Sequence, residues 1–287
     1  MNGWRDVMRV APLGAAALLL AACTSAVEEG RQRESAEAQL NLAQAYMAQN
    51  DLRQALATAQ KVLEQDPKNI DAHVLMGQVY HMERRWEAAL AAYQKALALD
   101  PRRAEVYYLM GAVRYQEKDV AGAIQNLRQA LAIPTYLTPW DAHLFLGGIL
   151  LDQGKVDDAL TEIRKALDVQ PEFGEAHNAL GYALLLKQRN DEAVEAFSRA
   201  VRFAPTLVAA HRNLGLTYVQ MGKKEEARAS FRKVVELAPP ESPLVAEARK
   251  QLADLGGDGP APAGAAPAGP ATAAPAAPPG VPPSGPR

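Results

Sequence analysis

The sequence predicts an all-α solenoid of six helix hairpins followed by one extra helix, and three observations carry that prediction. A large apolar residue followed by a small one recurs at Leu42-Ala43, Met76-Gly77, Met110-Gly111, Leu146-Gly147, Leu180-Gly181 and Leu214-Gly215, in steps of 34, 34, 36, 34 and 34 residues. An alanine keeps the same register at Ala55, Ala89, Ala123, Ala159, Ala193 and Ala227. Prolines punctuate the array at Pro67, Pro101, Pro171, Pro205 and Pro239. A fixed period of this length marks stacked copies of one supersecondary unit.

The chain opens on a segment that does not belong to that array. Arg5 and Arg9 precede an apolar run from Val10 to Leu20. The run has the ~7–15 residues of an export signal and falls short of the ~20 that a spanning helix needs. The run closes on Leu20-Ala21-Ala22-Cys23, which resembles the lipobox of bacterial lipoprotein signal peptides. The resemblance implies cleavage after residue 22 and acylation of the Cys23 thiol, with Thr24, in place of an aspartate, directing the product to the outer membrane. Each acyl CH₂ would add roughly 0.8 kcal/mol of membrane affinity, so several chains hold firmly where one holds weakly. Residues 23–35 are then the lipidated cysteine and a short polar tether. As the one cysteine of the chain, Cys23 cannot make an internal disulfide, a Cys-x-x-Cys pair or a cysteine-rich zinc site.

Within each unit, apolar residues fall at the three- and four-residue spacing of an amphipathic helix, as in Leu42, Ala45, Tyr46 and in Tyr93, Ala96, Leu97. Each unit therefore reads as two helices. The small residues allow helix axes to approach to ~8–10 Å. Asn50, Gly154 and Gly222 lie between the paired helices, where a left-handed turn is expected. Each proline disfavours helix at the residue before it and so ends a unit. A lone hairpin would expose its apolar face, and stacking is obligatory.

The landmarks Gly77, Tyr80, Trp86, Ala89, Tyr93, Ala96 and Pro101 resemble those of the tetratricopeptide repeat family. The resemblance implies a right-handed solenoid, with units over 36–69, 70–103, 104–139, 140–173, 174–207 and 208–241. Two departures stand out. The third unit is two residues longer, with Pro134-Thr135-Tyr136-Leu137-Thr138-Pro139 replacing the usual Asp-Pro turn, and Asn190 takes the place of a bulky residue. Ser242-Pro243 then starts a capping helix to Leu255, with a serine N-cap and proline in the first turn. The folded region is expected over 36–255 and a Pro/Ala/Gly-rich tail over 256–287. From 259 onward that tail holds 10 of the 20 prolines and, apart from Arg287, no charge. Such a stretch lacks the large apolar groups needed to offset ordering entropy, and disorder is expected, as a spacer or as a Pro-rich ligand.

Composition narrows the function. Lys and Arg number 31 against 33 Asp and Glu, a net charge of −2, too balanced for a protein that binds nucleic acid by displacing phosphate counterions. His73, His143, His177 and His211 occupy one equivalent site in four units. Helices one repeat apart are ~8–10 Å apart, too far for a shared zinc ion with nitrogens at ~2.1 Å, so packing is the expected role. No nucleophile–base set or phosphate loop is visible, and no enzymatic activity, cofactor, metal or small-molecule substrate is expected.

What remains is binding of a protein client. In this family the concave face is lined by the first helix of each unit. Taking the stripe offset from the packed one gives Tyr108 and Tyr115, Leu144 and Leu151, Asn178, Tyr182 and Leu185, and Arg212, Leu216 and Val219. That lining is mostly apolar and suits a peptide anchored by apolar side chains. Arg212 is its one cation, which disfavours a clamp for a terminal carboxylate. The lipobox, the six units and the break in period at Tyr136-x-Thr138-Pro139-Trp140 together resemble the type IV pilus pilotins, lipoproteins on the periplasmic face of the outer membrane. That resemblance implies a secretin subunit as client and a membrane contact through the lipid anchor. Repeat lipoproteins that serve as adaptors for peptidoglycan enzymes, for proteases or for outer-membrane protein insertion share the same outline.

Overall fold

The computed structural model describes residue 30 and residues 34–256. The signal segment, Cys23 and the tail from 257 lie outside the described residues. Among these there are thirteen helices and no strand. The chain divides into two compact units, one ending at Val113 and the other starting at Arg114.

The first unit holds α1 over 34–48, α2 (Leu52–Gln65), α3 (Ile70–Met82), α4 (Trp86–Leu99) and most of α5 (Ala104–Gln116). There α3 pairs with α4 as a hairpin, and α2 of the preceding hairpin packs beside α3. Ala43, Ala55, Ala59, Leu75 and Val79 form a core cluster in which alanines on α1 and α2 let the two helices close. The second unit holds the end of α5, then α6 (Val120–Leu131), α7 (Pro139–Asp152), α8 (Val156–Val169), α9 (Gly174–Leu186), α10 (Asn190–Phe203), α11 (Val208–Gln220), α12 (Lys224–Leu237) and α13 (Pro243–Asp254). There α7 pairs with α8, α9 with α10 and α11 with α12, while the first helices of successive hairpins, α7, α9 and α11, lie side by side.

One contact repeats inside the hairpins and explains the small residues of the sequence pattern. The ring of Tyr93 lies over Gly77, Phe197 over Gly181, Phe231 over Gly215, and Ile163 over Gly147, each sixteen residues on. A methyl group on Gly181 would fall 2.6 Å from the Phe197 ring, inside any van der Waals contact. The glycine is therefore a socket for one large side chain of the second helix. Tyr93, Phe197 and Phe231 are fully buried.

The turns between paired helices share a second device. Asn50, Arg84, Lys118, Gly154, Gln188 and Gly222 all have φ between 58° and 73°, so every hairpin turns through one left-handed residue. Only half of these positions carry the Asn or Gly that signals such a turn. At Arg84, Lys118 and Gln188 the fold imposes the conformation on residues that resist it. Side-chain caps start α2, α3, α6 and α13, where Asp51, Asn69, Asp119 and Ser242 accept from backbone N–H groups.

The helix α13 follows the register of the first helices. Its C-terminal reversal at Gly256, φ 77°, falls one repeat after the turn at Gly222. It thus stands in the position of a first helix.

Candidate functional site

The equivalent histidines have local partners. The Nε2–H of His73 donates to the carbonyl of Pro67 at 3.1 Å, that of His177 to Pro171 at 2.8 Å and that of His211 to Pro205 at 2.9 Å. Each ring fastens the start of its helix to the proline turn six residues earlier. His143 has no such proline, because the longer third unit displaces the turn, and its Nδ1 instead meets Glu162 of α8 at 2.7 Å. Lys165 meets the other oxygen of Glu162 at 2.8 Å, and these two partners hold the Glu162 carboxyl below its usual range against the desolvation that would raise it. His177 also stacks on Phe203, with centroids 5.4 Å apart. Burial lowers its pKa below that of a free histidine.

The stripe expected to face a client divides between the two units. Tyr108 lies in the first and is only 7 % exposed. It does not line an open face: α5 is buried nearly all round, from Ala104 through Val113, so periodicity alone could not tell its inner from its outer side. The other nine residues lie in the second unit, all half-buried, on the end of α5 and on α7, α9 and α11.

Their polar members Tyr115, Asn178 and Arg212 are each tied to a residue of the next helix in that register, outside the expected stripe. Tyr115 donates its hydroxyl to Asp152 and meets the Phe145 ring edge-on at 5.5 Å. Burial and that carboxylate push the Tyr115 phenol up to about 12. Asn213 donates to the Asn178 amide oxygen at 3.0 Å. Arg212 makes a two-pronged contact with Glu247 of α13 at 2.8 and 2.7 Å. The separations in sequence are 37, 35 and 35, one repeat plus one residue in each case once the two-residue insertion is counted. The partners Asp152, Phe145, Asn213 and Glu247 escaped the sequence reading. The signal for three of them was present in that offset.

Between these rungs lie the apolar members. Leu144 and Leu151 on α7 and Tyr182 and Leu185 on α9 keep part of their surface open. Leu216 and Val219 pack against a cluster of Ala227, Phe231, Val234 and Ala248, to which α13 contributes Leu244 and Leu252. At α11, side chains of α13 join the packing around Leu216 and Val219. Of the polar contacts on this face only that of Arg212 with Glu247 pairs opposite charges; Asp152 accepts from a neutral phenol and keeps its charge, and the two asparagines are neutral. No described helix is long and apolar enough to cross a membrane.

Helix hairpins in one register, each locked by a large residue over a small one, define a helical-repeat scaffold. The sequence matches the tetratricopeptide repeat over residues 12–70, 40–102, 74–136 and 140–207, and a further form of that repeat over 209–241. The chain belongs to the tetratricopeptide repeat family. Among solved structures it is similar to PilW, described as a widely conserved type IV pilus biogenesis factor, with TM-score 0.64 and 24% identity over 74% of this chain and 97% of PilW. It is likewise similar to PilF of Pseudomonas aeruginosa, with TM-score 0.66 and 22% identity over 75% of this chain and 97% of PilF. The Cut9–Hcn1 hetero-tetramer of the anaphase-promoting complex matches with TM-score 0.63 and 18% identity, over 74% of this chain and 42% of that one. At these identities the likeness is one of fold. No curated protein matches the sequence.

Proposed function

We propose that this repeat scaffold is a lipid-anchored pilotin, which escorts a secretin subunit to the outer membrane during assembly of type IV pili. The observation that carries the reading is the likeness in fold to PilW and PilF across 97% of each. The Leu20-Ala21-Ala22-Cys23 lipobox supports it, since an anchor at Cys23 would hold the scaffold at the periplasmic face of that membrane. Anchoring two partners to one surface raises their effective concentration without any new contact. The client would be gripped by the apolar surface of α7 and α9, with Leu144, Leu151, Tyr182 and Leu185 as anchors.

Deletion of the gene is expected to lower the amount of heat- and detergent-resistant secretin multimers and to abolish twitching. Normal multimers accompanied by altered septation would replace the reading with that of a cell-wall adaptor. Cys23→Ala is expected to move the protein from the membrane to the soluble periplasmic fraction. A photo-crosslinking residue placed at Tyr182 is expected to capture the secretin subunit, and Leu185→Ala beside it to weaken that capture.

A further inference from the structure

Among the described residues the helix α13 is held by few groups. Each earlier first helix of the second unit is backed by its own second helix, through contacts such as Phe197 on Gly181 and Phe231 on Gly215. For α13 no second helix follows among the described residues, and of its twelve residues only Val245 and Ala248 are buried. A helix of this length is marginal in isolation, so its docking rests on the surface that receives it.

Among the described residues that surface is built by α11 and α12. Leu216 and Val219 from α11 and Phe231 and Val234 from α12 form an apolar seat that receives Leu244, Ala248 and Leu252. At its edge stands Arg212, with 16% of its side chain exposed and its guanidinium forked onto Glu247. A planar guanidinium held this way recognises a carboxylate, with two parallel hydrogen bonds fixing its orientation. Measured from that glutamate, the apolar contacts fall three residues before and one and five after, on one side of a helix. An extended strand, which alternates its side chains between faces, would not reproduce that spacing.

We propose that the seat on α11 and α12 is a docking site for an amphipathic helix bearing one central carboxylate, and that α13 is the chain's own displaceable occupant. The partner is a protein segment with the chemistry of α13: an acidic residue that meets Arg212, flanked by leucine, alanine and leucine at helical spacing. This rests on the reading that the first-helix face receives a client, and extends it to a second, helical mode at the C-terminal end. Because α13 is covalently attached, it competes at an effective concentration on the order of millimolar. The seat is therefore closed to free helices and opens to a partner that binds more tightly or is itself held nearby.

The test uses the full chain and a fluorescent peptide of residues 242–256. Glu247→Ala in the chain weakens the resident helix while leaving Arg212 and the apolar seat in place, and is expected to tighten peptide binding about tenfold over the wild type. A peptide with its central glutamate changed to glutamine is expected to lose that gain. Equal affinity of the wild-type and Glu247→Ala chains, or indifference to the glutamine change, overturns the proposal. Hydrogen exchange on the wild type decides the matter even if the variant folds poorly. Amides of α13 are expected to exchange about tenfold or more faster than those of α12, reporting local opening, and equal rates overturn the proposal. No secretin is present in either assay, so failure here leaves the pilus reading standing. Loss of secretin capture at Tyr182 would leave this site standing.

Discussion

The socket under Phe197 predicts a specific energetic coupling. Gly181→Ala places a carbon 2.6 to 2.9 Å from three ring atoms, where about 3.5–4.0 Å is the normal separation. The ring must retreat by about 1 Å. It cannot do so freely, because Phe197 is fully buried and Ala193, Ala196 and Ala200 around the same helix face are buried with it. Overpacking of this kind costs about 2–3 kcal/mol, more than alanine regains through its better helix propensity of about 1 kcal/mol over glycine. With a slope of about 2–3 kcal/mol per molar urea for a chain of this size, the unfolding midpoint falls by roughly 0.5–1 M. Phe197→Leu alone leaves a partial cavity and costs about 1–2 kcal/mol. In the double variant the shorter leucine vacates the space that the new methyl needs, so the two losses do not add. A coupling of about 1 kcal/mol or more is expected from urea unfolding of the four proteins, followed by helical circular dichroism. Strict additivity, or a Gly181→Ala cost below about 0.5 kcal/mol, would refute the socket as the reason for the repeating glycine.

Glycine at Arg84, Lys118 or Gln188 relieves a left-handed residue and is expected to stabilise by about 0.5–1 kcal/mol per site, read as a higher urea midpoint. The Tyr93 hydroxyl is buried without a hydrogen-bond partner, and burial drives its pKa upward; Tyr93→Phe, the residue that stands at the equivalent positions 197 and 231, is expected to raise stability by about 1 kcal/mol in the same assay. Burial depresses the His177 pKa, so the unfolded chain takes up its proton first: stability is full above about 6.5 and declines as pH falls from there to the folded pKa. His177→Gln should flatten the difference between urea midpoints at pH 7.5 and 5.5. The depressed Glu162 carboxyl acts in the same direction only below its unfolded value of 4.5, outside that window.

Much of the fold was legible because a repeat states its rules six times. The sequence pattern located both helices of each hairpin, the small residues between them and the terminal helix begun by Ser242-Pro243. It did not reveal why the small residues are small. The partner of Gly181 is sixteen positions away on the next helix, and a one-dimensional pattern records the socket without its occupant. Left-handed turns were visible at Asn50, Gly154 and Gly222, where the residue favours the conformation, and invisible at Arg84, Lys118 and Gln188, where hairpin closure overrides it. The candidate face was the hardest part. A helix as apolar as α5 offers no polar side to orient it, and Tyr108 was consequently assigned to a surface from which packing withdraws it.

The two-residue insertion separates the contacts made inside a hairpin from those made between neighbouring hairpins. Inside the fourth hairpin the large-over-small contact keeps its sixteen-residue spacing, Ile163 over Gly147, because the extra residues lie before α7 and outside any hairpin. Between hairpins the polar rung lengthens from 35 to 37 residues and still closes, since Asp152 reaches Tyr115. The cost appears in the turn itself, where His143 loses the proline carbonyl that its three counterparts hold and takes Glu162 in its place. Insertions between hairpins are therefore tolerated as long as the first helices can re-form their rungs. Of the three rungs only that of Arg212 with Glu247 joins opposite charges; the other two are hydrogen bonds from neutral donors. The carboxylate that Arg212 meets comes from α13, after which no second helix follows among the described residues.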